Sequence, residues 1–456
     1  MGKMFGTNGV RGIVNDDMDV ALALQLGKAI GSVLRGTIAI ANDTRVSSDM
    51  LSMAVISGLT SVGCDVRNLG MIPTPALQYY VKCNSDVIAG VMITASHNPP
   101  EYNGIKVIEG DGTEASSETE NEIEQKYAED IPGVSWSDVG TVRTVSGAGE
   151  DYVNAIVSIV DVSAIRKANF VAVLDCANGA SCYTSPLLLK KLGVRAITLN
   201  ASPRGEFPGH LSEPTEDNLG DLKRMVRETK ANIGFAHDGD ADRCVFVDNR
   251  GNYVPGDIAL TLLAKARVEA NGGGEVVTPI ATSSLIDEVI TGAGGKVVRT
   301  AVGAPKVARR MIDDKALFGG EENGGLIFPD FQLCRDGGMA IARMLESIAK
   351  TQQPLRKQIE ALPVYYTAKR KVECSKALYE PIRKFIIASS SGVKIDETDG
   401  LKLLFDDGGW VLARPSGTEA LYRVYAESKD RDKANEMAAY YEKLILDFIA
   451  DSASKS

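Results

Sequence analysis

The sequence predicts an α/β protein made of three similar α/β units followed by one α+β unit. Three observations lead there. The chain has 456 residues, more than one ordinary core accommodates. Short apolar runs alternate with helical patterns from the start to about residue 363. Beyond that point the alternation gives way to hairpin signals flanked by two helices, the grammar of an α+β domain.

In the first unit, 1–148, strands are expected at 37–41, 65–69, 87–93 and 105–108, with Ser48 capping the helix after the first. A polar stretch with Pro132, Gly133, Gly140, Gly147 and Gly149 marks its end. The second unit, 149–250, opens on a helical pattern from Tyr152. It has strands at 170–174, 194–199, 233–236 and 244–247, a helix at 219–229, and a hairpin turn at Asn249-Arg250-Gly251-Asn252. The third, 251–363, repeats the alternation with strands at 275–278, 296–300 and 316–318. The fourth, 364–456, reads as a strand at 364–372, a helix at 376–388, a hairpin of 401–405 with 410–413, a strand at 422–426 and a helix from about Arg431. Residues 451–456 are expected to fray. No internal repeat is visible at the residue level.

Hydrophobic content of 44% and charged content of 24% are those of a soluble globular protein. The apolar runs are too short to span a bilayer, and the N-terminus has no signal-peptide architecture, so a cytoplasmic location is expected. Seven cysteines without a CxxC pair read as free thiols. A net charge of -10 argues against nucleic-acid binding, and means that anionic substrates need locally concentrated arginine and lysine.

Thr94-Ala95-Ser96-His97-Asn98-Pro99 sets a serine in a loop after an apolar strand. Ser, Asn and Pro build turns everywhere, so alone this loop is either a turn or the seat of a nucleophile. Asp238-Gly239-Asp240-Ala241-Asp242-Arg243 changes the balance. Alternating aspartates in an extended segment share one side and repel one another unless a cation is present; the competing reading is a solvated acidic turn. A hard divalent cation with oxygen ligands fits. A calcium EF-hand loop opens with the same spacing but fails, because Arg243 stands where it needs Gly and Asn249 where it needs Glu. Arg243 is placed to hold phosphate oxygens. A serine that carries phosphate and a loop that holds a cation are complementary halves of one phosphoryl-transfer site.

Arg414-Pro415-Ser416-Gly417-Thr418-Glu419 combines an arginine fork, hydroxyls and a glycine that permits close approach, which makes either a phosphate cradle or a plain hairpin, with Arg423 nearby. Glu321 and Asn323, in a glycine-rich loop at 319–325, suit sugar hydroxyls. Phe5-Gly6-Thr7-Asn8-Gly9-Val10-Arg11-Gly12 offers another glycine-lined arginine, Arg11. Lys106 follows the serine loop. If Arg11 approaches it, like charge lowers the lysine pKa toward that of a general base; otherwise it is a surface strand lysine.

Together these motifs resemble the α-D-phosphohexomutase superfamily along essentially the whole chain, in the form of its archaeal members. The resemblance rests on FGTNGVRG at 5–12, TASHNP at 94–99, NGIK at 103–106, DGDADR at 238–243, GEENGG at 320–325 and RPSGTE at 414–419. It implies four domains around a central cleft. It implies that Ser96 is carried as phosphoserine, and that one Mg²⁺ is held by Asp238, Asp240, Asp242 and a phosphoserine oxygen, with Arg243 in contact with the phosphoserine. Arg11, His97 and Lys106 would join Ser96 as the catalytic set. Arg414, Ser416, Gly417 and Thr418, assisted by Arg423, would bind the sugar's existing phosphate, while Glu321 and Asn323 grip ring hydroxyls. The implied reaction passes the phosphoryl group to a small phosphosugar. The bisphosphorylated sugar then turns and returns its original phosphoryl group to Ser96, with a sugar bisphosphate as a candidate activator. No nucleic-acid or membrane partner is implied.

Two departures matter. Many bacterial relatives carry a histidine where this chain has Gly325, so that residue's role does not transfer and Lys106 becomes a better acid–base candidate than His97, His210 or His237. Many relatives have Asp where this chain has Ala304, which removes a polar contact. Glucosamine 6-phosphate is the first expected substrate; mannose and glucose phosphates, singly or together, are the alternatives. Two other classes compete: a metal-dependent sugar phosphatase, which has less need for a remote second phosphate cradle, and a non-enzymatic sugar-phosphate sensor, against which the intact Ser96, Asp trio and Lys106 count.

Overall fold

Each of the chain's four sheets carries one of the sequence motifs in a loop between neighbouring antiparallel strands. The computed structural model describes residues 4–6, 9–416 and 420–454. The first sheet runs Val10–Ile13, Tyr102–Glu109, Val87–Ile93, Thr37–Asn42, Asp65–Met71, Val142–Thr144. Its first three strands pair antiparallel, the rest parallel. The second, Tyr253–Val254, Cys244–Val247, Ile233–His237, Val171–Asp175, Arg195–Leu199, has the same plan: a parallel part extended by an antiparallel hairpin. The third repeats it with Gly295–Thr300, Gly274–Pro279, Phe318–Gly320, Leu326–Phe328, Gln332–Arg335. The fourth, Tyr366–Glu373, Leu421–Ser428, Trp410–Pro415, Leu401–Leu404, Lys394–Asp396, is antiparallel throughout and is covered by the long helix Arg431–Ser454.

The strands buried on both sides read as unbroken apolar runs, as in Val87–Ile93 and Ile233–His237, because helices cover the parallel part on its faces. One hydrophobic core passes through the first three units, joining Leu77, Tyr152, Leu189, Phe235, Leu263 and Met339. The fourth has its own core, around Ile382, Leu403, Tyr422 and Ile445. It meets the third through a small cluster of Ile280, Ala281, Trp410 and Leu412.

Two local expectations differ from the structure. The helix begins at Ser48, with Ser47 in the cap position; the Ser48 hydroxyl donates to Asp43 Oδ1 at 2.8 Å instead of capping. The terminal helix runs to Ser454, so 451–454 are helical where fraying was expected, with its apolar side packed on the fourth core as far as Ile449. Among the described residues all seven cysteines are free, and no helix is long and apolar enough to cross a membrane.

Candidate active site

The serine loop joins Val87–Ile93 to Tyr102–Glu109, the aspartate loop joins Ile233–His237 to Cys244–Val247, and the Glu321 loop joins Phe318–Gly320 to Leu326–Phe328. Each is thus the turn from the last parallel strand into the first antiparallel one. This shared topology delivers three loops to one place.

Ser96 is buried, and its hydroxyl donates to Asp238 Oδ2 at 2.8 Å. Its backbone sits at φ 53, in the left-handed region that non-glycine residues rarely adopt. The loop is held in that shape from both sides. The Ser96 N–H donates to Thr94 Oγ1 at 2.8 Å, and Arg45 donates to the carbonyls of Ser96 (2.9 Å), Asn98 (2.6 Å), Pro99 (2.5 Å) and Tyr102 (2.7 Å). Arg45 is itself fixed on the buried Asp43 at 3.1 Å.

Asp238, Asp240 and Asp242 are all buried, and one oxygen from each lies within 4.8 Å of the others. The oxygens divide their labour. Asp240 Oδ2 accepts from Thr74 Oγ1 and from Lys106 Nζ, both at 2.6 Å. Asp242 Oδ2 accepts from Arg335 at 2.6 Å and from Lys106 at 3.3 Å. Asp240 Oδ1 and Asp242 Oδ1 are buried with no hydrogen-bond partner among the described residues. Burial, reinforced by Asp242 and Asp240, pushes the Asp238 carboxyl well above its ordinary range. An all-oxygen donor set with two orphaned, buried carboxylate oxygens fits a hard divalent cation such as magnesium.

Lys106 is fully enclosed and lies between the carboxylates. Burial works against its charge, but Asp240 and Asp242 outweigh both burial and Arg11, so its pKa is raised. Arg11 does lower it, as expected, but the two carboxylates outweigh the arginine and the net shift is upward, away from a general base. Arg11 instead donates to Asn98 Oδ1 at 2.8 Å and to the Ala95 carbonyl at 3.4 Å, steadying the serine loop. His97 is held neutral. The Arg243 charge, burial and Arg11 push its pKa down to about 2, and its Nδ1 is buried with no hydrogen-bond partner among the described residues. Arg243 Nε stands 3.8 Å from Asp238 and 3.9 Å from Asp242.

In the Glu321 loop, Glu321 accepts from the Gly303 N–H at 3.1 Å, and Asn323 Oδ1 accepts from the Gly325 N–H at 3.0 Å. Burial pushes the Glu321 carboxyl up, with Arg335 opposing. On the fourth unit, Arg414 pairs with Asp399 at 3.3 Å, and the same Asp399 oxygen accepts from Val302 N–H at 3.0 Å. Arg423 lies directly across the ladder from Arg414. The Ser416 N–H donates to Leu421 O at 2.9 Å. Gly417 and Thr418 lie outside the described residues, as do Thr7 and Asn8 of the first motif.

Sequence reasoning missed Thr74, which the fold brings against Asp240, Arg335, which it brings against Asp242 and Glu321, and Glu114, which pairs with Arg335. No motif marks them. Arg335 precedes Asp336, whose side chain caps the helix Gly337–Thr351, and the run looks like an ordinary helix start.

Four segments of the chain match the successive domains described for the phosphoglucomutase/phosphomannomutase family. Residues 2–132 match its alpha/beta/alpha domain I, 150–251 domain II, 255–366 domain III and 356–443 its C-terminal domain. A phosphoglucomutase/phosphomannomutase of Thermococcus kodakarensis is 44% identical over 456 residues, covering 98% of this chain and 99% of that one. A phosphoglucosamine/phosphogalactosamine mutase of Sulfurisphaera tokodaii is 40% identical over 454 residues, with 98% and 99% covered. Among solved structures, a phosphoglucomutase/phosphomannomutase family protein from Burkholderia thailandensis superposes with a TM-score of 0.86 at 26% identity, covering 97% of each chain.

Proposed function

Because the chain belongs to the phosphoglucomutase/phosphomannomutase family, we propose that it interconverts hexose 6-phosphates and 1-phosphates through a phosphoryl group carried on Ser96, with glucosamine 6-phosphate as its preferred substrate. The single observation that carries the reading is the 2.8 Å bond from the buried Ser96 hydroxyl into the aspartate trio. A nucleophile that shares a hydrogen bond with a cation-holding cluster is suited to phosphoryl transfer, which asks chiefly for positioning and charge neutralisation.

Asp238, Asp240 and Asp242 are the residues that would hold magnesium with a phosphoserine oxygen, and the bound ion would neutralise charge on the transferring group. Arg243 would hold the phosphoserine's other oxygens. Lys106, kept charged between two carboxylates, is a proton donor and electrostatic clamp, whereas His97, held neutral by Arg243, burial and Arg11, is a poor proton acceptor and serves as a neutral polar contact beside Ser96. Glu321 and Asn323 would orient the sugar. Arg414, Ser416, Gly417, Thr418 and Arg423 would hold the phosphate already present, so that the free hydroxyl faces Ser96. A hexose 1,6-bisphosphate is both the intermediate and the compound that would load an unphosphorylated Ser96.

The test uses purified, Ser96-phosphorylated protein with Mg²⁺ and glucosamine-, mannose- or glucose-6-phosphate given separately, following 1-phosphate and free phosphate. Conversion of glucosamine 6-phosphate far above the other two, lost in Ser96→Ala, is the expected result. Comparable conversion of several sugars would replace the substrate assignment with a general phosphohexomutase. Phosphate release without isomer formation would identify a phosphatase, and failure to incorporate phosphate at Ser96 would leave a sensor.

A further inference from the structure

Gly325 does not need to be glycine for its backbone, since it is not among the glycines with positive φ. It needs to be glycine for space. A Cβ at 325 would lie 2.4 Å from Arg335 Cδ and 3.0 Å from its Cγ. The arginine's stem therefore lies across the bare Cα of the sugar loop, and the two residues occupy one volume.

Where that stem leads is the second observation. Arg335 is buried and its guanidinium reaches three units at once. It donates to Asp242 Oδ2 at 2.6 Å in the second unit and to Glu114 Oε1 at 3.3 Å in the first, and stands 3.8 Å from Glu321 Oε2 in its own. With Oδ2 of Asp242 taken, the orphaned Oδ1 is the oxygen left for a cation. Nη2 bonds a single oxygen of Asp242 while Nη1 faces Glu321, so one rigid plane ties the two carboxylates together in a way an ammonium's rotating donors do not.

We infer that Arg335 is a positioning residue that aims Asp242 at the cation and Glu321 at the sugar, and that Gly325 is the vacancy through which it reaches them. The inference deepens the proposed function and rests on it. A side chain at 325 and an arginine at 335 exclude each other sterically, so this chain fills the space from the neighbouring strand and not from the loop.

A charge-only role predicts the opposite sign, which makes the inference testable by isothermal titration of Mg²⁺, a readout that needs no turnover. Deleting a cation beside an anionic metal site tightens metal binding by simple electrostatics. Losing the group that orients a ligand weakens it, typically by about 10–100-fold. Arg335→Met is thus expected to bind Mg²⁺ about 10–100-fold more weakly than wild type. Equal or tighter binding would overturn the inference. Arg335→Lys keeps the charge without the fork and is expected to fall between the two; wild-type affinity there would overturn it as well.

Gly325→Ala leaves the arginine in place and should produce a similar Mg²⁺ loss by displacing it. The double variant should be no weaker than the weaker single, and additive losses would break the proposed coupling. In kinetics all four variants should also raise KM for the hexose 6-phosphate through Glu321; an unchanged KM would refute that half. Thermal melts of each variant confirm that a folded protein is compared. A wild type that binds Mg²⁺ but turns over no sugar would overturn the proposed function while the isotherms still decide the role of Arg335.

Discussion

At Gly239 two functional loops come so near that a methyl group has no room. A Cβ there would stand 2.5 Å from the Ser96 carbonyl oxygen, and the Gly239 carbonyl is pinned from behind by the Ala180 N–H at 2.9 Å. Gly239→Ala must therefore push the serine loop away from the aspartates. A misplacement on the order of 1 Å costs roughly 100-fold in rate, so we expect kcat to fall by about that factor while the circular dichroism spectrum stays unchanged. An unaltered kcat would show that the two loops have slack. At this scale the sequence was legible where a residue's type is unusual for its place: a serine after a buried strand, and three aspartates alternating. It was silent on Arg335 and Thr74, because an arginine before a helix cap and a threonine at a helix start are commonplace, and only the fold brings them to Asp242 and Asp240. The Lys106 environment was misjudged for the same reason. Arg11 was visible as a neighbour in motif space, whereas the carboxylates that reverse its effect come from another unit.

Among the elements, strands with a mostly apolar run were legible, including the four-residue Cys244–Val247 and Leu401–Leu404, whereas several other short strands were not. Val10–Ile13, Val142–Thr144 and Leu326–Phe328 carry too few residues to display a period, and their strand state is imposed by pairing with neighbours. One element carries a titrating group no motif announces. Lys402, on Leu401–Leu404, donates to the Ile280 carbonyl at 2.8 Å and lies 4.1 Å from the centre of the Trp410 ring, at the junction of the third and fourth units. Burial, with help from Arg299, pushes its pKa down to about 7, against opposing pulls from Glu427, Asp287 and Asp396. An unfolded lysine stays protonated up to about pH 10.4. Between the two values the unfolded chain binds more protons, so stability must rise with pH, by at most about 1.4 kcal/mol per pH unit. Below the folded pKa both states are charged and the full penalty of burying the ammonium remains. Thermal melts from about pH 6 to about pH 9 should show the wild type gaining stability relative to Lys402→Met, which has no such group. Parallel curves would mean that Lys402 keeps its proton in the folded protein.

Over the whole molecule, the four units were legible from their motifs, but the unequal way they are joined was not. Apolar residues such as Leu77, Leu189 and Met339 look alike in any helix, yet they weld the first three units into one core. The fourth stands on a core of its own and reaches the third through Trp410, Lys402, Glu427 and Asp399, all of which engage the segment 280–302. Junctions between domains that are small and partly polar permit relative motion by default. The division of labour under the proposed function makes that motion consequential. Ser96, the aspartates, Lys106 and Arg335 are already bonded to one another across the welded units, whereas Arg414 and Ser416 ride on the fourth, so its position sets the distance between the held phosphate and Ser96. A bisphosphorylated sugar must turn end for end without losing its phosphoryl group to water, which calls for a cleft that closes and reopens. X-ray scattering of the unphosphorylated protein with saturating hexose 1,6-bisphosphate should therefore show a smaller radius of gyration than the protein alone. Arg414→Ala, which removes the fourth unit's grip on the distal phosphate, should abolish the compaction. Superimposable curves with and without the bisphosphate would mean that the fourth unit already stands in its working position, and that the sugar turns within a cleft of fixed width.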